Sequence, residues 1–273
     1  MDALATIAFY LGVIAYSAAS TLFFLDLARQ AAPASRSTWG PRVLVVAALL
    51  HAVHVITASL VLNRCPVDSL HFGLSFSALV AVAAFLVLRR YASLDAVGVI
   101  VAPCALTFLV GAQFVGVEVT TDPLISRPLL VMHIAANVLG VGLFVVAGAA
   151  GLLFLVLERR LQTHRAAGLG GRLPSLDTLD RSMHRLLLGG FPLLTFGVVT
   201  GALFSRHLED LSGAAFARTL FGFLTWVVLT GVLVLRRVAG VRGRRAAYGT
   251  LAAVLCMFLV VVVYAVRPGG HGS

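Results

Sequence analysis

"PLLVMHIAANVLGVGLFVVAGAAGLLFLVL", residues 128–157, contains no charged side chain and is bounded by Arg127 on one side and by Glu158, Arg159 and Arg160 on the other. About 20 apolar residues in a helix cross the hydrocarbon core of a bilayer, where no water is present to satisfy backbone N–H and C=O groups. The stretch therefore reads as a membrane span. Working outward, seven more stretches qualify, at 4–28, 42–63, 70–89, 95–117, 185–205, 214–235 and 247–266. Composition agrees. The 273 residues are 60% hydrophobic and 12% charged, with a mean hydropathy of +1.00, which excludes an ordinary soluble domain. The expected fold is all-α: a polytopic membrane protein with an eight-transmembrane-helix bundle, in a single integral membrane domain over 1–273.

Charge then sets orientation. All 21 basic residues are arginine; 16 lie on the side reached after spans one, three, five and seven, and 5 on the other. The positive-inside rule makes the first side cytoplasmic and puts both termini on the non-cytoplasmic side of a bacterial cytoplasmic (inner) membrane. The same count explains the pI near 10.9 without nucleic acid. The first apolar run lacks a basic leader and is too long for a cleavable signal peptide. Cys65, Cys104 and Cys256 are far apart and form no CxxC, so neither a redox pair nor a thiolate metal site is indicated.

One long cytoplasmic loop is expected, at 158–184. Its second half, "LPSLDTLDRSMHRLL" (173–187), reads as a short interfacial helix. Ser175 is placed to cap it, Asp177 falls in its first turn, and Leu173, Leu176, Leu179 and Met183 recur at helical spacing.

The eight histidines carry the most information. His164 and His184 are cytoplasmic. His71, His133, His207 and His271 converge on the outer face, and His51 and His54 lie beneath them near mid-depth, three positions apart on one face of span two. Histidine is costly in hydrocarbon, so these rings need partners. Two readings stand for each: a tie to backbone or hydroxyl oxygens on a neighbouring helix, or a ligand role. His133 is followed one turn later by Asn137, which suggests a polar pocket in span five. Histidines spread over several helices, without a cysteine or carboxylate cluster, suit a large planar ligand such as haem better than a compact zinc site. No carboxylate or arginine falls at the midplane, which argues against an ion-coupled carrier. No Walker loop, GxSxG elbow or HExxH helix is present. Ala136, Gly140, Gly148 and Gly151 let span five approach its neighbours closely.

Three segments resemble a known family. "RPLLVMHIAANVLGVGLFVVAGAAGLLFLVLERRL" (127–161), "LPSLDTLDRSMHRLLLGGFPLLTFGVVTGALF" (173–204) and "GRRAAYGTLAAVLCMFLVVVVYAVRPGGHGS" (243–273) are similar, in order and spacing, to the cytochrome c assembly superfamily of the CcsA/CcmC type. The resemblance implies haem b as cofactor, its iron held at the outer face by His133 and His271. It also makes His51 a third axial-ligand candidate, since a comparable "LLHA" run marks the HemX/YpjD-like branch. His54, His71, His207 and Asn137 are weaker candidates. The second motif, Gly270-His271-Gly272, matches imperfectly.

One departure directs the reading. Synthetases of this superfamily carry a tryptophan-rich WWD loop, where this chain has "SRHLEDLSGAAFARTLFGFLTWVV" (205–228), with Trp226 alone and already inside the next span. The cytoplasmic-end histidine of that span is also replaced, by "VLVLRR" (232–237). The chain is therefore not expected to catalyse thioether attachment by itself. A HemX-like haem-binding protein that regulates haem synthesis or handles haem is expected, with glutamyl-tRNA reductase as an implied partner beside membrane lipid. The alternatives are a haem-handling subunit of a system II-like cytochrome c maturation complex, with a CcsB-like or cytochrome c partner, and a haem-free scaffold.

Overall fold

A computed structural model describes residues 2–28, 39–62, 70–91, 94–115, 127–163, 173–205 and 213–265. Among these residues, eight α-helices are formed: α1 (Asp2–Ala28), α2 (Trp39–Val61), α3 (Leu70–Tyr91), α4 (Gly98–Ala112), α5 (Arg127–Gln162), α6 (Leu176–Ser205), α7 (Gly213–Val238) and α8 (Arg244–Ala265). A single 3-10 turn, Asp95–Val97, leads into α4. Each overlaps one expected span, and all eight, α4 taken with its leading turn, are long and apolar enough to cross a bilayer; the fold is an all-α polytopic membrane bundle.

Helix α5 is the hub. In the first half of the chain, α1 packs on α2 and α4, and α3 packs on α4; α3 then touches α5, which also holds α6 and α8, while α7 lies against α8 and α6. Lipid tails are as apolar as leucine, so helices in a bilayer gain little by hiding apolar surface from each other. Close van der Waals contact has to hold them, and small residues permit it. Three α5 glycines face three different helices. A Cβ on Gly142 would come within 2.5 Å of Val80 on α3, one on Gly148 within 3.2 Å of Val254 on α8, and one on Gly151 within 3.4 Å of Met183 on α6. The interior is filled by Tyr16, Leu44, Phe85 and Leu109 in the first half and by Phe144, Leu179, Met183 and Leu229 in the second. Large apolar side chains such as Ile14, Leu60, Phe223 and Leu224 point outward to lipid.

The segment 173–187 departs from expectation. It forms no separate interfacial helix: residues 176–187 are the first turns of α6, which continues to Ser205. Ser175 does cap the helix, its hydroxyl accepting from the Thr178 N–H at 3.1 Å. The physical reason for continuity is the face it buries. Leu179 and Met183 are fully enclosed against the bundle instead of lying in a membrane surface. The expected loop 158–184 shrinks accordingly, because α5 runs to Gln162 and α6 starts at Leu176.

At the arginine-rich end, Asp180 of α6 ties α7 to α8. Arg236 donates to its two oxygens at 2.9 and 2.6 Å, and the Gly243 N–H adds a third bond at 2.9 Å. Gly243 has φ +65°, the left-handed conformation that aims its N–H at the carboxylate at little steric cost.

Candidate functional site

His133 sits between one and two turns from the start of α5, at the end of the bundle opposite the arginines. Its surroundings come from α6, where "GVVTG" (197–201) presents two glycines and a threonine along one side. Gly197 leaves room for Asn137 and Gly201 leaves room for the His133 ring; a Cβ there would lie 2.5 Å from Asn137 Oδ1 and 3.4 Å from His133 Cε1, respectively. Phe204 meets the ring edge-on, with centroids 5.3 Å apart.

The hydrogen bonds determine the tautomer. The Thr200 hydroxyl donates to the Phe196 carbonyl at 2.6 Å, so its oxygen has only lone pairs left for His133 Nδ1, which lies 2.6 Å away. Nδ1 must therefore carry the proton and donate it to Thr200 Oγ1. The Nε2 lone pair then faces the Asn137 amide, which donates to it at 3.1 Å and also to the His133 carbonyl at 2.8 Å. A neutral imidazole with Nδ1–H pinned by an oxygen and Nε2 presenting its lone pair is the form a metal takes up. The ring is half-buried and its neighbours are apolar or neutral. The donor chemistry fits a haem iron; Asn137 would retain its bond to the backbone carbonyl if Nε2 changed partner.

The other candidates are distributed differently. His51 of α2 is fully buried, with Nδ1 3.3 Å from the Tyr16 hydroxyl of α1. Its Nε2 has no hydrogen-bond partner among the described residues. His54 is bonded through both ring nitrogens: Nδ1–H donates to the Ala5 carbonyl at 2.9 Å, and the Gln113 amide donates to Nε2 at 3.3 Å. His71 donates from Nδ1 to the Ala112 carbonyl at 2.7 Å. His54 and His71 thus both secure the C-terminal end of α4. His133 and Asn137 meet at the α5–α6 contact, and His51 belongs to the α1–α2 contact. His207 and His271 lie outside the described residues. Among the described residues, no three histidine, cysteine or carboxylate side chains gather into a compact metal cluster.

Thr200, Gly197, Gly201 and Tyr16 were not singled out from sequence. The glycine pair had a readable signal, the G-x-x-x-G spacing that brings membrane helices together.

Comparison with known proteins agrees with this architecture. The family described as Cytochrome C assembly protein matches residues 39–269. The chain belongs to that family. Two Cytochrome c biogenesis proteins CcsA are similar to it. The one from Gloeothece citriformis (strain PCC 7424) is 24% identical over 67% of this chain and 70% of its own length. The one from Guillardia theta is 27% identical over 66% of this chain and 64% of its own length. Protein HemX of Brevibacillus brevis is 24% identical over 72% of each chain. No solved structure matches. This cytochrome c assembly protein is thus a multi-pass membrane protein with similarity to both CcsA and HemX proteins.

Proposed function

We propose that this cytochrome c assembly protein binds haem b at the histidine-rich end of its bundle and acts, HemX-like, in regulating haem synthesis or handling haem. The observation that carries the reading is His133 held in its Nδ1–H tautomer by Thr200, which leaves the lone pair on Nε2, where Asn137 now donates and an iron could take its place. In this reading His133 and His271 would hold the haem iron, while His51, whose Nε2 has no partner among the described residues, is the candidate for a deeper ligand. Haem when bound supplies an iron centre whose axial ligands tune its potential. The chain's own part is to fix the His133 ring through Thr200, limit its swing with Phe204, and seat it against Gly201. The positive-inside count supports a bacterial cytoplasmic membrane with both termini outside, which puts this end at the outer face and the α5–α6 connection towards glutamyl-tRNA reductase or another soluble partner. The similarity to CcsA proteins favours a second reading, a haem-handling subunit of a cytochrome c maturation complex working with a CcsB-like or cytochrome c partner.

The test is an absorption spectrum and a pyridine haemochrome assay on detergent-purified wild type, His133→Ala and His271→Ala. A Soret band in the wild type that is lost in both variants is expected. A wild type that stays colourless after haem is added refutes haem binding and leaves a haem-free scaffold.

A further inference from the structure

A cavity lies at the other end of the molecule from His133. It has a volume of about 740 Å³ and sits between α6, α7 and the turn that leads into α8. Four arginines line it, Arg181, Arg236, Arg237 and Arg242, against two aspartates, Asp177 and Asp180.

Most of these charges are already used. Arg236 is committed to Asp180 in a nearly enclosed bidentate pair, and Arg181 is paired with Asp177 one turn away on α6. Arg237 and Arg242 are exposed and form no close ion pair or hydrogen bond among the described residues, Arg242 feeling the Asp180 carboxylate only at longer range, and the Nδ1 of His184 is buried there without a partner. With four arginines against two aspartates, the cavity thus carries a net excess of positive charge and an unmet ring nitrogen.

The remaining walls are apolar and lie deeper. Leu188 is one turn beyond His184 along α6, and Leu233 and Val234 are one turn before Arg237 on α7. Leu188 and Val234 are each 51% exposed on the flank of a membrane-spanning bundle, so this wall opens towards lipid. A charged rim at the helix ends above an apolar flank facing the bilayer complements an amphiphile with an anionic head. A free anion would use the rim and leave the flank idle.

We propose that this cavity is a binding site for an anionic phospholipid, its phosphodiester held by Arg237 and Arg242 and an acyl chain lying along Leu188 and Val234. Such a lipid would cover the gap beside the Asp180–Arg236 pair.

Native mass spectrometry of the detergent-purified full chain tests this with phosphatidylglycerol, phosphatidylcholine of the same acyl chains, and inorganic phosphate. Phosphatidylglycerol is expected to bind at least about tenfold more tightly than phosphatidylcholine. Replacing Arg237→Gln and Arg242→Gln should weaken it by about fivefold for each arginine. Both side chains are exposed and unpaired, so the variant should melt with the wild type. Arg159→Gln with Arg160→Gln, at the exposed end of α5, should leave binding unchanged. The proposal is overturned if the two lipids bind equally, if the α5 pair weakens binding as much as the cavity pair, or if inorganic phosphate binds as tightly as phosphatidylglycerol.

Discussion

Gly197→Ala and Gly201→Ala lie one turn apart on α6 and should have opposite effects. At position 197 the new Cβ would fall 2.5 Å from Asn137 Oδ1 and 3.0 Å from both its Cγ and Nδ2. Carbon wants about 3.5 Å to such neighbours, so Asn137 must retreat by about 1 Å. It is held by bonds to the His133 carbonyl at 2.8 Å and to His133 Nε2 at 3.1 Å, and a retreat breaks at least one. Overpacking costs about 1–3 kcal/mol, and the hydrogen bond lost within α5 about 0.5–1.5 kcal/mol. Alanine returns about 0.5–1 kcal/mol through its helix preference. The net expectation is a loss of about 1–3 kcal/mol. At position 201 the Cβ would lie 3.4 Å from His133 Cε1, an ordinary contact, so the helix preference is the only change left. Thermal unfolding of the two purified variants decides the matter. Gly197→Ala should melt several degrees below the wild type and Gly201→Ala at or slightly above it, since about 1 kcal/mol moves Tm by roughly 2–4 °C at this size. Identical melting of the two variants, or a lower Tm for Gly201→Ala, would show that the α5–α6 contact does not work as described.

Three further outcomes are expected. Thr200→Val keeps the side-chain shape but removes the acceptor of the His133 Nδ1 proton, so haem titration should show binding weaker by about 10–100-fold, with Thr200→Ser close to wild type; equal affinity in the valine variant would contradict the assigned role. Asp180→Ala strands Arg236, whose side chain is only 9% exposed, and should cost about 3 kcal/mol in a melting experiment, while Asp180→Leu combined with Arg236→Met should recover most of it. His51→Leu removes a buried ring nitrogen that has no partner, Nε2, but also leaves the buried Tyr16 hydroxyl without the Nδ1 it meets at 3.3 Å, so Tm should fall by a few degrees, at about 1–3 kcal/mol, while haem content falls. Full haem content with an unchanged spectrum would reduce His51 to a packing residue.

The spans were legible because a bilayer core imposes one demand on every crossing segment, and runs such as 128–157 satisfy it within their own residues. The cap at Ser175 was legible for the same local reason, since Ser175 and Thr178 are three positions apart. The fate of the helix it starts was not. Leu173, Leu176, Leu179 and Met183 make an apolar stripe that would suit a membrane surface equally well, and only the packing of α6 on α5 turned the stripe into core. The histidines divide along the same line. Their depth follows from position in a span, but two readings for each ring stayed open until the partners were in place. His54 and His71 proved to hold the end of α4 through the Gln113 amide and the Ala112 carbonyl, with His54 also tied to Ala5 of α1, partners that no spacing rule connects to them.

Sequence by itself determined that this chain crosses a membrane eight times, which side carries the arginines, and that His133 and Asn137 share a helix face, because these depend on hydropathy and on contacts within one helix. Tertiary structure alone decided that Thr200 orients His133, that Tyr16 accompanies His51, and that Arg236 is consumed while Arg237 and Arg242 are not. Each of those depends on how one helix is rotated about its axis against another. That rotation is set by where the glycines of α5 and α6 allow close approach, summed over the whole contact, and no single residue type announces it.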